Sequence, residues 1–180
     1  MDTLKGQLVM AGGGLLDPNF RQTVILIVEH NDEGALGIVL NRALGVGLVE
    51  SVPELDHFPN VDPRLYWGGP VSPPNAVVLA EYADPTVAES LVFGPVGLYP
   101  AGREPLEAPA VVRTRVYAGY AGWGPNQLEA ELATEAWIIE PALIQDVFCT
   151  DPDELWRQVL ERKGPAFEMF KWMPADPSMN

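Results

Sequence analysis

The fold is decided by Thr23-Val24-Ile25-Leu26-Ile27-Val28, followed by Glu29-His30-Asn31-Asp32-Glu33-Gly34 and Ala35-Leu36-Gly37-Ile38-Val39-Leu40. Residues 23–28 are β-branched or apolar without alternation. A strand of that kind buries both faces and belongs in the middle of a sheet. Residues 36–40 repeat the pattern. The polar link His30 to Gly34 reads as a hairpin loop, with Gly34 free to take positive φ.

Working outward, Gln7 to Ala11 is a short apolar run broken by Gly12-Gly13-Gly14. Asp17-Pro18-Asn19-Phe20 favours a turn. Leu44 to Leu55 holds a possible short helix that ends near Pro53, and residues 56–64 read as loop. Strands are predicted at Leu65–Trp67, Ala76–Ala80, Ser90–Phe93, Val111–Tyr120 and Trp137–Ile139. Gly122-Trp123-Gly124 reads as a turn, and Pro125 suits the first position of a helix running to about Ala133. Leu128 and Leu132 face the core from that helix. Asp151-Pro152-Asp153-Glu154 is a strong helix start, and Gly164-Pro165 a strong stop. Leu155, Trp156, Val159 and Leu160 form one apolar stripe between them. Strands outnumber helices and do not alternate with them regularly. The expected class is α+β: a mixed, partly antiparallel, curled sheet with a few packed helices. The whole chain, 1–180, is read as one domain; a small inserted lobe would lie within about residues 56–110.

Composition narrows the function. The chain has 180 residues and a formal net charge of −14. Its densest basic groups are Arg113 with Arg115, and Arg157 with Arg162 and Lys163. No Lys or Arg stands between Arg115 and Arg157, where eight acidic residues do. A polyanion without a basic arm approaches DNA, RNA or anionic lipid against its own field, so no direct nucleic-acid or membrane contact is expected. Cys149 is the single cysteine, which rules out an internal disulfide and a thiolate cluster. No apolar run reaches the roughly 18 residues of a membrane span, and no signal pattern opens the chain. A cytoplasmic location is expected.

Catalytic signatures are lacking. His30 and His57 have no partner at metal-ligand spacing, and no serine sits in a nucleophile elbow. No catalytic residue, metal ligand or cofactor is assigned. The most suggestive chemistry is Gly119-Tyr120-Ala121-Gly122-Trp123-Gly124-Pro125, between a strand and a helix, with a second strand ending at Glu140. Dinucleotide folds use such an order to seat phosphate on a helix N-terminus. Here the glycine order is G-x-x-G-x-G, Trp123 adds bulk, and Glu129 and Glu131 repel phosphate. A structural turn is favoured over an anion- or nucleotide-binding enzyme. Gln127 and Glu131, four apart, could with Trp123 and Tyr120 line a cleft at the helix start, though a capped helix with a solvated flank is favoured. Arg21 and Arg42 are candidate carboxylate or phosphate clamps; the structural alternative is a buried salt bridge to Asp17 or Glu29.

These residues also match a known pattern. Asp17-Pro18-Asn19-Phe20-Arg21, Glu29 to Gly37, Leu40-Asn41-Arg42, Gly68-Gly69-Pro70-Val71 and Gly119 to Glu131 occur in the order seen in the bacterial YqgE/AlgH family. The ending, Met173 to Asn180, is also similar. The resemblance implies an α+β protein with a mixed, curled sheet in the bacterial cytosol. Members are often labelled transcriptional regulators, and no catalytic residue set comes with the label. Combined with the charge, it implies a non-enzymatic regulatory or binding protein acting through a protein partner or small ligand. Asp17, Arg21, Asn41, Arg42, Trp123, Gln127 and Glu131 are its candidate contacts.

Overall fold

The structure, a computed structural model, describes residues 3–12, 18–53, 58, 60–99 and 110–172. Ten strands form one sheet: β1 (Gln7–Ala11), β2 (Val24–Asn31), β3 (Gly34–Val39), β4 (Ala43–Gly47), β5 (Val61–Trp67), β6 (Val71–Tyr82), β7 (Ser90–Phe93), β8 (Val96–Tyr99), β9 (Val111–Trp123) and β10 (Trp137–Pro141). The order is β10-β1-β2-β3-β9-β6-β8-β7, with β5 on β9 and β4 on β5. The β5–β9 pairing is parallel and the other described pairings are antiparallel, so the sheet is mixed and open. Among the described residues four α-helices accompany it: α1 (Leu48–Ser51), α2 (Gln127–Ala133), α3 (Ile144–Val147) and α4 (Pro152–Lys163). The class is α+β.

The strand periodicity of two explains the packing. Leu8, Met10, Val24, Leu26, Val28, Ile38, Leu40 and Tyr117 point to one face, where the stripe of α4 covers them. Val9, Ile25, Ile27, Val39, Ala121 and Trp123 point to the other, under Leu128 of α2. Both faces of β2 are therefore buried, as its sequence requires. Each fully buried Leu or Ile contributes ~1.5–3 kcal/mol. The β2–β3 hairpin closes through Gly34 at φ +130°, where a Cβ would lie 2.1 Å from the Trp123 carbonyl oxygen.

Several local expectations are corrected. Leu44–Gly47 belongs to a strand, β4, and the short helix expected in this stretch is Leu48–Ser51. Residues 61–64 are strand, not loop, because Val61 pairs with Thr114. Val96–Tyr99, within a Gly- and Pro-rich stretch, is a strand held by β6 and β7. The expected turn at Gly122–Gly124 does not form: β9 continues to Trp123 because Ala35, Leu36 and Gly37 of β3 pair with Trp123, Gly122 and Ala121. Pro125 precedes α2 rather than opening it, since Asn126 is the N-cap. Nor do β9, α2 and β10 make a crossover between neighbours. Three strands separate β9 from β10.

The open end of the sheet at β10 is guarded. Lys163 Nζ donates to the Ile139 carbonyl (2.7 Å) and Arg162 Nη2 to the Pro141 carbonyl (3.2 Å). Both cations come from the last turn of α4 and occupy acceptors that another strand would need.

Candidate anion-binding cleft

The residues expected to bind a partner fall into two sets. Asn41 is buried: its Oδ1 accepts from Val24 N and its Nδ2 donates to the Gln22 carbonyl, both at 2.9 Å. It pins the 18–23 loop to β2. Arg42 donates to the Arg21 carbonyl from an exposed position. Partial loss of water around its guanidinium lowers its pKa, with Asp153 acting in the opposite sense. Arg21 is half-buried in the same loop, and Asp17 lies outside the described residues.

Trp123, Gln127 and Glu131 do converge, with each other. Glu131 Oε2 accepts from the indole N–H of Trp123 (2.9 Å) and of Trp137 (2.7 Å), and Oε1 accepts from Gln127 Nε2 (2.9 Å). Gln127 Oε1 accepts from Gly124 N. The network ties α2 to β9 and β10 and leaves its carboxylate saturated. Phe20 links the two sets indirectly, packing edge-on against Trp137 at 5.8 Å. At Gly119, φ is +72° and a Cβ would lie 2.6 Å from the Gly69 carbonyl oxygen. The glycine serves a close backbone crossing there.

His30 is likewise engaged. Its Nδ1 accepts from Leu4 N (3.0 Å), and Nε2 lies 2.7 Å from Glu129 Oε1. That pattern assigns the proton to Nε2. His57 lies outside the described residues. Among the described residues no group of three or more His, Cys, Asp and Glu could hold a metal ion.

A different cluster gathers the cations. Arg113 and Arg115 are two apart on β9, so their side chains leave the sheet on one face. Asp62, Arg64 and Tyr66 share the same parity on β5. Asp62, Arg64, Arg113 and Arg115, with Asn60, Pro63, Thr114 and the Phe148–Thr150 link between α3 and α4, line a cleft of about 440 Å³.

Asp62 is its structural hub. Its Oδ1 accepts from Arg64 N and Nε, both at 3.0 Å. Its Oδ2 accepts from Arg64 Nη2 (2.9 Å), Tyr66 Oη (2.9 Å) and Arg115 Nη2 (2.8 Å). Burial works against this carboxylate. The Arg64 hydrogen bonds and the Arg115 charge more than offset it, and the pKa falls to about 2. Arg115 is only 3% exposed and lies 4.5 Å over the Tyr66 ring. Its Nη1 donates to the Val147 carbonyl (2.8 Å) and its Nη2 to the Cys149 carbonyl (2.7 Å), fastening the α3–α4 link to the sheet. Burial raises the pKa of the Cys149 thiol, so it stays protonated at neutral pH.

The two outer arginines are different. The Arg64 and Arg113 side chains are each 40% exposed. Arg113 donates Nε to Glu81 (2.6 Å) and rests 4.5 Å over the Phe148 ring. Its two terminal nitrogens have no hydrogen-bond partner among the described residues. Arg64 binds Asp62 as a fork and reaches the Thr150 carbonyl at 3.3 Å, which leaves N–H groups unused. The Thr150 hydroxyl, also at the rim, is exposed. Guanidinium donors thus face a partly apolar cleft whose own carboxylates are already engaged.

The Arg113-x-Arg115 pair was visible in the sequence, but the pairing with Asp62 and Arg64 was not, because residues 61–64 read as loop. Recognising them as strand gives the parity that brings both pairs to one face.

Comparison with known proteins agrees with this architecture. Relatives include UPF0301 proteins of Streptomyces coelicolor, 39% identical over 100% of this chain and 97% of that one, and of Mycobacterium tuberculosis, 38% identical over 97% and 90%. A crystal structure of a Corynebacterium diphtheriae protein superposes with a TM-score of 0.86 at 26% identity, covering 96% of this chain and 94% of that one. The solution structure of the AlgH protein from Pseudomonas aeruginosa gives 0.70 at 31% identity, covering 97% and 98%. The AlgH-like family model matches residues 8–168, and the chain belongs to that family.

Proposed function

We propose that this chain is a cytosolic, non-enzymatic binding protein whose ligand is a small anion held at the mouth of the Arg64–Arg113–Arg115 cleft. One observation carries the reading. In a chain of net charge −14, half-exposed guanidinium groups with unused donors sit together at a cleft. Charge-assisted hydrogen bonds from such forks are the strong kind, and Arg presents them in a geometry that fits carboxylate and phosphate. The other groups suit holding better than turnover: Asp62 is saturated, and burial keeps the Cys149 thiol protonated. A regulatory output would pass from the bound ligand to a protein partner. Direct contact with nucleic acid is disfavoured, because Asp62 and Glu81 interrupt the three arginines.

A thermal-shift screen of small carboxylates and phosphates tests this reading. At a hundred times its Kd, a ligand stabilises by about 2.7 kcal/mol. The expected result is a shift in the parent chain that Arg113→Gln removes. No shift with any anion, or an equal shift in the variant, would overturn the proposal.

A further inference from the structure

The charge balance within the cleft indicates what kind of anion fits. Arg64, Arg113 and Arg115 face two carboxylates, Asp62 and Glu81. Burial raises the pKa values of Tyr66 and Cys149, so both are neutral. One positive charge is left over. A monoanion matches it, whereas a dianion would add an unmatched charge to a chain that is already strongly negative.

The geometry of donors and walls adds a second restriction. The guanidinium of Arg113 is held on one side by the Phe148 ring and by Glu81, which fixes the direction of its free edge. A planar fork binds a planar carboxylate through two parallel hydrogen bonds. Phe148 and Pro63 supply apolar wall beside the charged rim. The volume falls in the ~300–1,000 Å³ range of small-molecule sites, which are mostly apolar with a few placed polar groups.

We propose that the cleft takes a small monocarboxylate with an apolar body, its carboxylate held by Arg113 and Arg64 and its body set against Phe148 and Pro63. This inference rests on the reading of the cleft as an anion site and narrows it to one ligand class. Thr150 stands at the rim as an added hydroxyl donor.

Isothermal titration calorimetry on the full chain at neutral pH tests it with phenylacetate, phenethyl alcohol and phenyl phosphate. Phenylacetate is expected to bind at least ~10-fold tighter than the other two, since a hydrogen bond to a charged group contributes ~1.5–3 kcal/mol. Arg113→Gln and Arg64→Gln should each weaken phenylacetate by about that factor, and Arg113→Lys should fall between. The parent and variant chains are compared by their circular dichroism and melting curves. Equal affinity for the alcohol would overturn the proposal, as would unchanged affinity in both well-folded Gln variants. Tighter binding of phenyl phosphate, lost in Arg113→Gln, would overturn the carboxylate assignment and keep the anion site. Failure of both anions to bind would overturn both.

Discussion

Replacing Asp62 by Asn removes the charge at the centre of the cleft and nothing else of comparable size. Five hydrogen bonds converge on this carboxylate, and one of them comes from the buried Arg115. Two physical bounds set the cost. A carboxylate moved from an ordinary pKa of 3.8 to about 2 contributes ~2.5 kcal/mol at most. Solvent at the rim trims that to ~1–2 kcal/mol. Leaving a buried charge without its partner costs ~3–5 kcal/mol. Asn keeps one acceptor, so a loss of about 2–4 kcal/mol is expected from these two bounds. The pH dependence has a definite sign. The folded pKa lies below the unfolded one, so the contribution is full above about pH 5 and shrinks as pH falls toward 2; about half is gone near pH 3. Urea unfolding, followed through the chain's five tryptophans at pH 7 and pH 3, measures both quantities. A penalty under ~0.5 kcal/mol at pH 7 would refute the hub role. So would a penalty of the same size at pH 3.

Gly34→Ala places a Cβ 2.1 Å from the Trp123 carbonyl oxygen at φ +130°, so the hairpin or the β3–β9 pairing must shift. A loss of more than ~3 kcal/mol in chemical denaturation is expected, well beyond the ~1 kcal/mol typical of point variants. Glu131→Gln keeps the shape but replaces one acceptor oxygen with a donor. With two indole N–H groups on Oε2, it should cost ~1–3 kcal/mol and change tryptophan emission. Removing both guards of β10, with Arg162→Ala and Lys163→Ala together, frees the Ile139 and Pro141 carbonyls. Light scattering should then show concentration-dependent association stronger than that of the parent chain.

The parts legible in the sequence were those set by apolar periodicity and by strong stops. The hairpin at 23–40 and the helix from Pro152 to Lys163 follow directly from their residues. What stayed hidden was set by tertiary pairing. Pro63 made 61–64 look like loop, yet pairing with β4 and β9 on either side holds it extended. Trp123 and its flanking glycines suggested a turn, yet β3 keeps them in strand. The arginine cleft was not legible in the sequence for the same reason. Once β5 is a strand, Asp62 and Arg64 share a face, and they sit on the strand that pairs beside Arg113 and Arg115. Asn41, Trp123, Gln127 and Glu131, the contacts expected from the sequence, make hydrogen bonds that hold the 18–23 loop and α2 in place.

The cleft is tested most directly by the arginine side-chain Nε–Hε resonances of a ¹⁵N-labelled chain titrated with phenylacetate. Arg113 and Arg64 should move in a saturable way, while Arg157 and Arg162, which do not line the cleft, stay still. Arginine signals that all drift together with added salt, or that do not move at all, would contradict an anion site between β5 and β9.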